Sequence, residues 1–263
     1  SGFAYLNEYR DAGSRQIAAQ VGLDMRLATL TREQALQALA SLPLGCEPGQ
    51  GFRYGFSTDV LGLILERITG QSLGDALGQR IFGPLGMTNT GFAPTGQSRE
   101  RMASALPEDA GFFVFTGKFE EGAGNSNTIQ SGGGGLVSTL PDYLRFARML
   151  VNGGELDGAR ILTEDSLAEM TRDQLAEGLD GPTNLTGPGF GFGLGFAVRH
   201  EWGVSAFPTF PGEITWSGIC GPVMYLHLRE RTIALSFNCN MATRILARME
   251  FRRAAQPLFD AAA

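Results

Sequence analysis

Two short segments of this 263-residue chain hold residues whose types and spacing could do chemistry. The first is Arg53-Tyr54-Gly55-Phe56-Ser57, which sets a tyrosine just before a helix start. A free phenol has a pKa of about 10, too high for a base at neutral pH. A nearby ammonium favours the phenolate and brings that value down. A Tyr54 base therefore requires a cationic neighbour, normally a lysine. The chain has one lysine, Lys118, and Phe115 stands three residues before it. The second segment is Trp216-Ser217-Gly218-Ile219, which comes after the β-like Glu213 to Thr215 and reads as an edge strand closing a cleft. Gly218 permits close approach of a substrate. The backbone N–H of Ile219 could then point at a developing oxyanion, and losing such a donor costs roughly 3–4 kcal/mol of barrier. Each segment alone also fits a purely structural role.

Other chemistries are disfavoured. There are only two histidines, His200 and His227, and no G-x-S-x-G elbow, which argues against a Ser-His-Asp triad or a histidine-built metal site. No metal or cofactor is expected. Cys46, Cys220 and Cys239 form an odd set without C-x-x-C and read as small buried hydrophobes. The net charge is −6 and no basic run stands out, so nucleic acid is not an expected partner. No apolar stretch reaches the roughly 20 residues of a membrane-spanning helix. The opening SGFAYLNEYR lacks a signal-peptide pattern, which leaves the compartment open. Asn184-Leu185-Thr186 fits a glycosylation sequon.

Periodicity predicts the elements that must position these segments. Thr31 to Leu42 opens on a cap residue with Glu33 close behind, a helix start. Val60, Leu61, Ile64, Leu65 and Ile68 recur at helical spacing, so Ser57 to Thr69 is predicted as an amphipathic helix stopped by Gly70. Shorter helices are predicted over Gly74–Ile81, Pro141–Val151 and Thr163–Leu175. Gly191–Val198, Val223–Leu228 and Thr232–Asn238 read as strands, the last two joined by a tight turn at Arg229–Arg231. Ala242–Phe259 reads as a closing helix. The expected organisation is a mostly helical region, 1–185, carrying Tyr54 and a glycine-rich loop, and a strand-and-helix region, 186–263. One continuous active-site cleft is expected between them.

Taken together and in this order, the segments resemble the serine β-lactamase-like superfamily, most closely its β-lactamase-fold carboxylesterases. Tyr54-Gly55-Phe56 stands at the Tyr-x-Asn position. Asp59-Val60-Leu61-Gly62 and Pro84-Leu85-Gly86-Met87-Thr88-Asn89-Thr90 match the helix and turn that come after it in the family. Ser131-Gly132-Gly133-Gly134-Gly135-Leu136-Val137-Ser138-Thr139 matches the glycine-rich stretch, and Trp216-Ser217-Gly218 fills the Lys-Thr-Gly or His-x-Gly position. The resemblance implies an α/β (α+β) fold, with an antiparallel sheet flanked by helices plus a mostly helical region. It also implies a Ser-x-x-Lys pair, which this sequence lacks.

The resemblance therefore implies that this chain is the larger fragment of a split or processed enzyme, partnered by an N-terminal fragment of the same protein that carries that pair, without which the fold is incomplete and this chain is not stable alone. In that scheme Tyr54 is the general base and Ile219 the oxyanion donor. Phe56, Trp216, Ser217, Gly218 and Gly134 line the substrate site. Phe56 and Trp216 replace a polar asparagine and lysine by aromatic rings, which favours small-molecule esters with apolar acyl groups over β-lactams. Other readings stay open: an amide hydrolase or acyltransferase of the same fold, a non-catalytic scaffold, and an N-terminal-nucleophile hydrolase in which the α-amine of Ser1 activates its own hydroxyl.

Overall fold

The computed structural model of the chain describes residues 1–23, 27–92, 100–103, 128–175, 179, 186–200, 205 and 208–260. Lys118, Phe115 and the Asn184-Leu185 half of the sequon lie outside them. The chain divides into two compact units, one from 1–80, 89–101 and 111–137, the other from 81–88, 102–110 and 138–263.

The described part of the first unit is helical: α1 (Ala12–Val21), α2 (Arg32–Ser41), α3 (Ser57–Thr69) and α4 (Leu73–Leu77). Thr31 caps α2 through a capping box. Its reciprocal partner is Gln34, whose side chain accepts from the Thr31 N–H at 2.9 Å, and not the neighbouring Glu33. α3 spans the predicted residues and ends at Gly70, which adopts φ 69°. The predicted 74–81 helix is instead the short α4, after which the backbone widens into a π turn over Gly78–Phe82.

Of the predicted apolar face of α3, only Val60 packs, partly buried, on the core. Leu61, Ile64, Leu65 and Ile68 are between 41% and 75% exposed. The buried positions are Asp59, Gly62, Leu63 and Glu66. Burying carboxylates is tolerated only when they are hydrogen-bonded, and both are. Asp59 Oδ1 accepts from the Ser131 hydroxyl at 2.6 Å and from the Gly133 N–H at 3.1 Å. Glu66 accepts from the Leu73 N–H at 3.1 Å and from Arg32 Nε at 3.0 Å. The unit's core gathers Tyr9, Leu23, Leu39, Phe56, Leu63 and Ile129.

The second unit holds α5 (Leu140–Val151), a small hairpin of β1 (Glu155–Leu156) and β2 (Ala159–Arg160), and α6 (Glu164–Thr171). Next come the strands β3 (Phe190–Phe192), β4 (Ala197–Arg199), β5 (Glu213–Ser217), β6 (Val223–His227) and β7 (Thr232–Ser236), then α7 (Arg244–Asp260). β3 to β7 form one antiparallel sheet in sequence order. Residues 223–226 of β6 are all buried, so both faces of that strand are covered. The described residues thus form a mixed α/β fold of helices and antiparallel sheet.

Three elements differ from expectation. The predicted strand over Gly191–Val198 is a hairpin, β3 and β4, folded at Gly193–Gly195. α6 stops at Thr171 and not Leu175, because Asp173 Oδ1 and the Gln174 N–H bond to the backbone of Phe192 at 3.0 and 2.9 Å. The Trp216 strand, β5, lies at the centre of the sheet with partners on both sides, so it is no edge strand.

Candidate active site

In the first unit, Tyr54 is half-buried and its backbone is held by the chain's opening segment. The Tyr5 N–H donates to the Tyr54 carbonyl at 3.0 Å, and the Phe56 N–H donates to the Phe3 carbonyl at 3.1 Å. Gly55 sits between these bonds, and a Cβ there would fall 2.1 Å from the Phe3 carbonyl oxygen. Only glycine allows so close a pairing. The Tyr5 ring stands edge-on to Tyr54 at 5.4 Å and to Phe56 at 4.7 Å.

Phe56 is 2% exposed and belongs to the core. At the position where the resemblance places a polar substrate contact, this chain thus has a packing residue that precedes α3. Ser1 is exposed, and its hydroxyl shares a short hydrogen bond with that of Ser57.

The glycine-rich loop lies against the first turn of α3. A Cβ on Gly132 would approach the Thr58 carbonyl oxygen to 2.4 Å. Asp59 pins Ser131 and Gly133, and burial raises its carboxyl above the ordinary range despite those bonds. Gly134 stands at the exposed crown with no atom within 4 Å of a Cβ there. Tyr54, α3 and the loop are therefore brought together within this unit.

In the second unit, Trp216 pairs with Met224 in β6 and sets its ring edge-on to Phe192 at 5.2 Å. Ser217 pairs with Val223, and the chain then turns. The Gly218 N–H donates to the Pro222 carbonyl at 2.9 Å, and the Gly221 N–H donates to the Gly218 carbonyl at 3.0 Å. Ile219 is 48% exposed. Its N–H makes no hydrogen bond among the described residues.

The foot of β5 is anchored by a fully buried ion pair, with Arg252 Nη2 at 2.7 Å from Glu213 Oε2. The guanidinium is boxed by Phe259, Tyr225 and Phe210, with ring centroids at 4.2, 5.6 and 5.9 Å. Burial pushes the Glu213 carboxyl up to about 6 against the pull of Arg252, and pushes the Tyr225 phenol up to about 12. Sequence reasoning missed Tyr5, the roles of Asp59 and Glu213, and Arg252. Asp59 alone carried a signal, as an acid in the first turn of a predicted helix. Among the described residues, no group of three His, Cys, Asp or Glu side chains is placed to hold a metal, and no helix is long and apolar enough to cross a membrane.

Comparison with known proteins agrees with this architecture. The β-lactamase family profile matches residues 1–254, and the chain belongs to that family. Protein Rv1367c of Mycobacterium tuberculosis is 35% identical over 193 residues, covering 71% of this chain and 48% of its own. Esterase EstB of Burkholderia gladioli is 32% identical over 236 residues, covering 82% of this chain and 55% of its own. Among solved structures, EstCE1, a hydrolase with promiscuous acyltransferase activity, superposes with a TM-score of 0.75 at 27% identity, over 96% of this chain and 68% of its own. The chain spans about half the length of these curated relatives.

Proposed function

We propose that this chain is the Tyr54- and Trp216-bearing part of a serine hydrolase that acts on carboxylic esters through an acyl-enzyme. The observation that carries the reading is the end of β5. Trp216 stands where a lysine would recognise an acidic substrate, and the turn beyond it exposes Ile219, whose N–H has no hydrogen-bond partner among the described residues. The likeness to EstB, an esterase, supports ester hydrolysis, and the likeness to EstCE1, a hydrolase with promiscuous acyltransferase activity, supports acyl transfer from the same site. Phe56 in the core supports the loss of a polar amide contact.

In this reading a serine hydroxyl adds to the ester carbonyl carbon, and its proton passes to the Tyr54 phenolate, which a lysine ammonium favours. The Ile219 N–H takes the negative charge that develops on the carbonyl oxygen. The tetrahedral adduct collapses, the alkoxide leaves with the proton, and water or an alcohol then removes the acyl group. The serine and lysine come from a Ser-x-x-Lys outside residues 1–263. The exposed stripe of Leu61, Ile64, Leu65 and Ile68 supports a further segment packing along α3.

The test is hydrolysis of p-nitrophenyl butyrate and nitrocefin by the full-length gene product. The ester is expected to be turned over faster than the β-lactam. Tyr54→Phe is expected to lower kcat by about 10²- to 10⁴-fold. Full activity in Tyr54→Phe would end the role given to Tyr54, and faster turnover of nitrocefin would end the ester reading.

A further inference from the structure

We propose that Arg248 is a positioning residue that aims the Ile219 N–H, an inference that rests on the reading of Ile219 as oxyanion donor. Arg248 lies on α7, half-buried, and its Nη2 donates a short hydrogen bond to the Gly218 carbonyl. Its Nε donates to the Gly221 carbonyl at 3.3 Å. One guanidinium thus holds the carbonyls at both ends of the turn.

The Gly218 carbonyl and the Ile219 N–H belong to the same peptide unit. A trans peptide is planar, with its C=O and N–H pointing in opposite directions. Fixing the carbonyl oxygen on Arg248 therefore fixes the direction of the Ile219 N–H. The Gly221 N–H, 3.0 Å from the same oxygen, adds a second restraint. A cation on the carbonyl also polarises the amide, which makes its N–H a better donor.

The rest of the turn is tied down in the same way. The Cys220 carbonyl accepts from the Asn240 N–H at 2.8 Å, and the Gly221 carbonyl also accepts from Asn238 Nδ2 at 3.3 Å. Held carbonyls beside an uncommitted N–H are what a preorganised oxyanion donor requires, since nothing must reorient when charge develops.

The test compares wild type with Arg248→Met and Arg248→Lys in the full-length gene product, by amide hydrogen exchange and by p-nitrophenyl butyrate kinetics. In Arg248→Met, exchange at the Gly221 N–H is expected to rise at least about tenfold, while the β6 amides keep their protection and report an intact sheet. The kcat is expected to fall about 10- to 100-fold with KM changed less than about twofold, because the interaction strengthens only as charge develops. Arg248→Lys, which can reach one carbonyl but not both, is expected to recover part of the loss. Unchanged exchange at Gly221, or unchanged kcat, overturns the proposal. If Arg248→Met loses β6 protection as well, Arg248→Lys alone decides, and wild-type exchange and kcat in it refute the clamp. If wild type hydrolyses no ester, the esterase reading fails by itself, and the exchange arm still decides whether Arg248 fixes the turn.

Discussion

α3 and α7 share an unusual disposition and solve it differently. Each buries charge beside a few apolar side chains, Leu63 on α3 and Ala255 and Phe259 on α7, and leaves other large apolar side chains exposed. α3 buries Asp59 and Glu66 while Leu61, Ile64, Leu65 and Ile68 face solvent. α7 buries Arg252 while Ile245, Leu246 and Leu258 are between 53% and 64% exposed. The charge on Asp59 is met by dipoles, a serine hydroxyl and a backbone N–H from the glycine-rich loop. The charge on Arg252 is met by one opposite charge, the Gln256 amide oxygen at 2.8 Å from Nη1, and three aromatic rings. Dipoles carry no charge of their own, so removing Asp59 leaves only neutral groups unpaired. A guanidinium that loses Glu213 keeps only the neutral Gln256 oxygen and the rings around it, and a carboxylate that loses Arg252 loses its paired counter-ion in the core. Glu213 Oε1 and Arg252 Nε make no hydrogen bond among the described residues, so the pair has little in reserve.

The largest expected effect breaks that pair. Arg252→Met leaves Glu213 uncompensated and is expected to cost about 3–5 kcal/mol in denaturant unfolding. The double variant Glu213→Leu/Arg252→Met removes both charges and is expected to regain most of that loss, because well-packed apolar replacements of a buried pair are often neutral or better. A double variant no more stable than Arg252→Met would mean that the aromatic box, and not the ion pair, sets the cost.

A smaller effect separates the two acids by pH. Burial raises both carboxyls, Glu213 from 4.5 to about 6 and Asp59 above 3.8. Between its ordinary and its raised pKa, the folded chain holds a proton that the unfolded chain has lost. Stability therefore falls as pH rises through that window. For Glu213 the window runs from 4.5 to about 6, and the loss is on the order of 2 kcal/mol at 1.36 kcal/mol per unit. Thermal unfolding at closely spaced pH values is expected to show this decline. Glu213→Gln should flatten it, and Asp59→Asn should flatten only a segment that opens lower, near 3.8. A decline that survives both substitutions would place the titrating group elsewhere.

These two helices also show which features were legible in the sequence. The bounds of α3 were, because its first turn comes directly after the Tyr54 segment and Gly70 stops it. Its inward face was not. The groups that make Asp59 and Glu66 welcome inside come from Leu73, beyond the end of the helix, and from Arg32, Ser131 and Gly133, which lie 34 to 74 residues away in sequence. β3 and β4 merged into one predicted strand because Phe190 to Val198 is apolar on both sides of its glycines. Tyr54 and Trp216-Ser217-Gly218 stood out through motif and order. The groups that hold them did not, since Tyr5 lies 49 residues before Tyr54 and Arg252 lies 39 after Glu213.

The smallest expected effect tests the outward side of the comparison. Ile68 is 75% exposed, at the last turn of α3. If that face meets only water in the full-length gene product, Ile68→Gln removes almost no buried apolar area, and unfolding should shift by less than about 0.5 kcal/mol. The same holds for Leu246→Gln on α7, which is 64% exposed. The two helices part company if a further segment packs along α3. Full burial of a side chain as large as isoleucine contributes about 1.5–3 kcal/mol, so Ile68→Gln should then become costly in the full-length gene product while Leu246→Gln stays near neutral. A loss at Ile68 well above that at Leu246 would assign the stripe to an internal interface. Equal, small losses at both positions would leave α3 and α7 alike, as helices with large apolar side chains exposed to solvent.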